Sequence, residues 1–172
     1  MSPNALSFVF VILVVAASAA DAAPIPPVCR PALDGQIRLI TTPHHTVTAE
    51  GNPPKMGEAI AVDGVNYIKF QDKWMKSPMT VQASLAQQQE NIKNATVFSC
   101  TRLPDGEVDG TPAAVYKVHS ETPDVGSSDA QIWLSKATGL PLRTENDFKT
   151  IGTNGHMSIK YDYANIHAPA VK

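Results

Sequence analysis

The sequence predicts a mainly β (α+β) domain, a curved antiparallel sheet or incomplete β-barrel covered by one main helix. Three observations predict it. Near the C-terminus Met157, Ile159, Tyr161 and Tyr163 alternate with His156, Ser158, Lys160 and Asp162, so one strand face is apolar and the other polar. Turn-forming pairs such as Asp63-Gly64 and Asp109-Gly110 punctuate the chain at short intervals, as hairpins require. A single segment, near Ser77 to Asn94, carries helical spacing instead. One wet and one greasy face per strand marks an antiparallel sheet that hides a single side.

In chain order, residues 1–22 read as a cleavable secretory signal. The apolar run "FVFVILVVAASAA" is thirteen residues long and ends in small residues before "APIPP". A spanning helix needs about 20 residues, so the run implies a periplasmic or secreted product with no membrane span after cleavage. Residues 23–35 read as a proline-rich, extended arm, and 36–172 as one domain.

Gln36 to Thr42, rich in Ile, Leu and Thr, reads as a strand, and His45 to Ala49 continues after Pro43. "EGNPPKMG" is a loop. Glu58 to Val62 and Val65 to Phe70 form a hairpin around Asp63-Gly64, and "QDKW" turns into a short segment at Trp74. Ser77 offers an N-cap with Pro78 at the first helical position. Val81, Leu85, Ile92 and Ala95 then share a narrow stripe interrupted by Gln88.

After Thr96 every element reads as β. Val97 to Leu103 is a strand, "PDGEVDG" holds two Asp/Gly turns, and Pro112 to Ser120 is another strand. Ala130, Ile132 and Leu134 share a face that Leu140 and Leu142 continue, while Arg143, Glu145 and Asp147 point away. Gly139 suits a left-handed turn position.

Cys29 and Cys100 form the one cysteine pair. In an oxidising compartment such a pair is a disulfide, here tying the arm to the strand beginning near Thr96. The net charge of −2 gives no reason to expect nucleic acid or an anionic membrane surface as partner.

The chain carries few residues arranged for chemistry. There is no G-x-S-x-G elbow, no H-E-x-x-H and no phosphate-cradling glycine loop. His44 and His45 are adjacent, so on a strand they face opposite sides; His119, His156 and His167 are scattered. Glu145 and Asp147, about 7 Å apart on one strand face, read as a solvated charged surface. The chain is expected to be no enzyme, with no metal and no cofactor. Asn94-Ala95-Thr96 is a glycosylation acceptor sequence.

The stretch "DAQIWLSKATGLPLRTE", the closing "HMSIKYDYANIHAP" and "EVDGTPAAVYKV" together resemble the outer-membrane lipoprotein-sorting (LolA/LolB-like) superfamily and its periplasmic relatives. The resemblance runs from Val97 to Pro169, and the Thr138 to Arg143 hairpin is its most specific part. It implies a curved sheet with helices over an apolar interior that holds lipid chains. The expected function is a non-enzymatic binding protein for an apolar small molecule, a lipid or a lipidated protein. Its expected lining is Ile68, Phe70, Leu85, Tyr116, Ile132, Leu134, Leu142, Met157, Ile159 and Tyr161. Two rivals stand beside it. One is an envelope interaction or structural module with a filled core; the other is a small-molecule enzyme with a His or Asp in its pocket.

Overall fold

A computed structural model describes residues 24–123, 125–150 and 152–171. The expected signal, residues 1–22, lies outside the described residues. A short 3-10 turn, Pro27–Cys29, leads into helix α1, Arg30–Thr41. Strands β1, His44–Glu50; β2, Lys55–Val62; β3, Val65–Phe70; and β4, Lys73–Lys76, follow. Helix α2, Val81–Asn94, precedes β5, Val97–Val108; β6, Thr111–Thr122; β7, Gly126–Ser135; β8, Pro141–Thr150; and β9, Thr153–Asp162. The strands make one sheet in the order β4-β3-β2-β1-β9-β8-β7-β6-β5, with every pair antiparallel. Two meanders, β1 to β4 and β5 to β9, are thus joined through the β1–β9 pair. The sheet is open, with β4 and β5 at its edges, and among the described residues two α-helices accompany it.

The N-terminal elements differ from the sequence reading. Arg30–Thr41 is helical, so the extended arm ends before it, and no strand runs from Gln36 to Thr42. Ile and Thr favour strands locally, but Ala32, Leu33, Gly35 and Leu39 recur at helical spacing and all four are buried. Pro31 sits in the first turn, where its absent N–H leaves nothing unpaired, and Arg38 lies in the last turn, near the negative end of the helix dipole. Gly35 permits close approach to the sheet. A Cβ there would lie 2.7 Å from the Gly139 carbonyl oxygen and 3.0 Å from Leu134 Cδ2. Arg38 Nη2 also donates to the Thr138 carbonyl at 2.6 Å, fixing α1 to the β7–β8 turn.

Helix α2 begins later than Ser77-Pro78 implied. Thr80 is its N-cap, and Thr80 Oγ1 accepts from the Ala83 N–H at 3.1 Å. Ser77 Oγ instead accepts from the Met79 N–H, which makes Ser77-Pro78 a turn. Asn66 Nδ2 donates to the Met79 carbonyl and so binds this turn to β3.

The hairpins follow local turn chemistry. Asp63 and Gly64 have φ of 53° and 75°, and Asp109 and Gly110 have 49° and 79°. Asp105-Gly106 is not a turn: it lies inside β5, where the register shifts between Leu103 and Gly106. The Asp105 carboxylate bridges Arg102 and Lys136 there, so its charge is used across the bulge.

Cys29 and Cys100 are bonded, with Cα atoms 5.4 Å apart, which ties the start of α1 to β5. The packed core lies beside this link. Ala32 of α1 rests on Tyr116, Val118, Ile132 and Leu134 of the concave sheet face, with Phe98, Cys100, Ala114 and Ala130 around them.

Candidate ligand cavity

The concave face is built from cross-strand rows that register alone brings together. One row runs Phe98, Ser120, Ser128, Phe148, Gly155 across β5, β6, β7, β8 and β9. Phe148 lies over Gly155, where a Cβ would come within 2.3 Å of its ring. The glycine therefore gives the aromatic ring a seat flat on the sheet. The next row runs Cys100, Val118, Ala130, Asn146, Met157. Ser128 Oγ donates to Asn146 Oδ1 at 2.6 Å, joining the two rows.

Over this floor stands α2. Only Val81 of α2 is buried; Leu85 and Ile92 of its apolar stripe are half-buried, and Ala95, the last of the stripe, is buried just past the helix end. Phe98 and Phe148 beneath it are half-buried as well. Helix and sheet therefore face each other without sealing. Between them is a cavity of about 380 Å³, with Phe98, Ser120, Ser128, Asn146 and Phe148 as its floor. Gln88, Asn91 and Ile92 of α2 form its roof, and Leu33 of α1 closes it at the back. This volume lies within the ~300–1,000 Å³ range of small-molecule sites.

The residues expected to line a ligand divide into three groups. Tyr116, Ile132 and Leu134 are buried in the packed core under α1. Leu85, Met157, Ile159 and Tyr161 are half-buried on the concave side, whereas Ile68 and Phe70 are exposed at its β3 end. Leu142 leaves the set. The β7–β8 register shifts between Trp133 and Leu134, and Leu142 lines a groove with His45, Val47, Lys160 and Asp162 of the convex face. Sequence reading missed Phe98, Ser120, Ser128, Asn146 and Phe148. The outward alternation of Arg143, Glu145 and Asp147 carried the signal for two of them, since it turns Asn146 and Phe148 inward.

His44 lies on the concave side near the far end. Its Nδ1 is 2.7 Å from the Thr42 carbonyl oxygen, and its ring tilts against Tyr161 and Tyr163. Burial holds its pKa below the usual histidine value, more than the Thr42 hydrogen bond raises it. Burial also pushes the Tyr161 and Tyr163 phenols up; the first is 3.4 Å from Thr144 Oγ1 and the second donates to the Pro141 carbonyl. These side chains are committed to structural partners, and the group contains no nucleophile hydrogen-bonded to a base.

The convex face holds a row of ionic side chains. His119, Asp129, Asp147 and His156 lie directly opposite one another on β6, β7, β8 and β9. His119 Nδ1 is 3.0 Å from Asp129, and His156 Nδ1 is 2.8 Å from Asp147. These hydrogen bonds raise both histidines, Asp129 with Glu121 acting on the first and Asp147 with Glu145 on the second. Burial raises Glu145, but its bonds to Ser158 and Arg143 outweigh that and hold it below the usual carboxylate value. Among the described residues no group of three or more His, Cys, Asp or Glu is placed to hold a metal. No described helix is long and apolar enough to cross a membrane.

No family model matches the chain, and no curated protein matches it in sequence. Among solved structures it is similar to LprF from Mycobacterium bovis, at 12% identity over 86% of this chain and 99% of that one, with a TM-score of 0.48. It is similar to lipoprotein LppX from Mycobacterium tuberculosis at 11% identity, covering 83% and 99%, with a TM-score of 0.45. The solved structures it resembles also include a lipoprotein-sorting domain. That domain, described as an outer membrane lipoprotein-sorting protein of Vibrio parahaemolyticus, gives 7% identity, coverage of 80% and 93%, and a TM-score of 0.30. At these scores the likeness carries no argument about a ligand.

Proposed function

We propose that this chain is a non-enzymatic binding protein of the periplasm or extracellular space. It holds an apolar ligand, foremost a lipid acyl chain, between α2 and the concave face of the sheet. The observation that carries this reading is the unsealed space itself. Ile92 above and Phe98 and Phe148 below stop half-buried around the cavity, although the same sheet packs tightly against α1 nearby. A chain entering that space gains about 0.8 kcal/mol for each methylene taken out of water. Leu85, Met157 and Ile159 extend the apolar lining toward β1, and Ile68 and Phe70 offer it an open end.

Organic extraction of the purified protein, followed by mass spectrometry, tests the proposal together with titration by a fluorescent fatty-acyl probe. Co-purifying lipid and saturable probe binding are expected. Protein that yields no lipid and binds no probe would overturn it.

A second reading, a protein-interaction module, draws on one separate feature. Ile68, Phe70, Met75 and Met79 are all exposed beside the free edge of β4, with Ile68 and Met75 directly paired. A lipidated partner would use this strip and the cavity together.

A further inference from the structure

The polar part of the cavity specifies a headgroup as well as a chain. Resting on the binding role above, we infer that the preferred ligand is a single-chain amphiphile with an uncharged, hydroxyl-bearing head, such as a monoacylglycerol. The head lies against Ser120, Ser128 and Asn146 of the sheet, under Gln88 and Asn91 of α2.

Three features of the site lead there. First, the polar side chains on its concave lining are hydroxyls and carboxamides collected from four elements: Ser120 and Thr122 on β6, Ser128 on β7, Asn146 and Thr150 on β8, and Gln88 and Asn91 on α2. Among the described residues, the hydrogen bond from Ser128 Oγ to Asn146 Oδ1 is the one side-chain bond within this set. It occupies one lone pair of the amide's oxygen and leaves its NH2 as a donor. Ser120 Oγ retains both roles, and the two α2 amides add donors and acceptors in equal measure. Vicinal hydroxyls, each a donor and an acceptor, match such a mixed set, whereas a carboxylate or an ammonium uses only half of it.

Second, among the described residues no carboxylate or guanidinium lines the cavity, and the one cation there is Lys149. Lys149 follows the alternation of Asp147 toward the convex face, and its carbonyl oxygen is what crowds Gly126 beside the cavity. A charged head would therefore lose water without gaining a counter-charge. Third, Phe98 and Phe148 flank the two serines in a single cross-strand row, so the polar spot is framed by apolar floor. A head on Ser120 and Ser128 leaves its chain to run over an aromatic ring toward Met157 and Ile159.

The test is calorimetric titration of the delipidated full chain with three compounds of equal chain length, each below its critical micelle concentration: monolauroylglycerol, laurate at pH 8 and dodecyltrimethylammonium. Monolauroylglycerol is expected to bind about 10-fold more tightly than either ion, as one or two extra satisfied hydrogen bonds imply. Ser128→Ala combined with Asn146→Leu should abolish that preference, bringing the three affinities within about 2-fold of one another, and a 10-fold preference surviving in the variant would overturn the headgroup inference. Equal affinity for all three in the unaltered protein would overturn the headgroup inference and leave the binding role standing. Tighter binding of laurate would overturn it in the same way. Failure of every compound to bind, in protein shown to be lipid-free, would sink both.

Discussion

Replacing Gly155 with alanine probes the floor of the cavity most directly. The added Cβ would lie 2.3, 2.8 and 2.9 Å from Cζ, Cε2 and Cε1 of Phe148. Carbon atoms rest at about 3.5–4.0 Å, so the ring has to move by more than about 1 Å. Backbone of β9 lies beneath it, and the free direction is upward into the cavity. Overpacking of this kind costs about 1–3 kcal/mol, and Phe148→Ala, at a half-buried site, costs a similar amount. The double variant removes the collision. Its cost should fall short of the sum of the two single costs by about 1–2 kcal/mol. Urea denaturation of the four proteins measures this coupling. Gly155→Ala alone should also weaken binding of the acyl probe, because the displaced ring occupies the ligand's space. Additivity within about 0.5 kcal/mol, with probe affinity unchanged, would refute the placement of Phe148 on Gly155.

Other perturbations test the frame around the site. Cys29→Ser with Cys100→Ser opens a link spanning 71 residues; the chain-entropy estimate puts its contribution at about 4 kcal/mol, and an unchanged urea midpoint would contradict it. Thr80→Ala removes the acceptor for the Ala83 N–H and should lower stability by about 1 kcal/mol, while Ser77→Ala should matter less. Gly139→Val places a β-branched residue at φ 68° with its Cβ 2.8 Å from Arg38 Nη2, and a melting temperature equal to that of the parent would refute the α1 anchor. Stability against pH should carry opposed histidine contributions, each under about 1 kcal/mol at the exposed pairs. His119 and His156 have raised values, so their contribution is full below the unfolded value of 6.5 and fades as pH rises through the folded values. His44 is lowered, so its contribution is full above 6.5 and is lost as pH falls through the folded value. Denaturation of His156→Ala between pH 5 and 8 should show the gain on the acid side reduced, and an unaltered profile would count against the His156–Asp147 pair.

How far the sequence could be read depended on how local each signal was. Asp63-Gly64 and Asp109-Gly110 were legible as turns because positive φ is a property of the residues themselves. Asp105-Gly106, the same dipeptide, misled because Lys136 and Arg102 hold its carboxylate across a bulge. The alternation of β9 was legible because a half-buried strand imprints its two faces on a single run of residues. Leu142 fell on the wrong face because one extra residue in β8 reverses that parity, and a bulge leaves no mark in composition.

Composition and pattern by themselves determined a one-sided antiparallel sheet, the Cys29–Cys100 pair and the absence of any recognised catalytic motif. Each of these is written in neighbouring residues or in simple counting. Tertiary structure decided that Arg30–Thr41 is a helix, because packing of Ala32 and Gly35 against the sheet and the Gly139 turn rewards a helical conformation over the β preference of Ile and Thr. It also decided where the cavity lies. Phe98, Ser120, Ser128 and Phe148 are neighbours through strand register alone, and a register joining distant segments is fixed by the folded sheet as a whole.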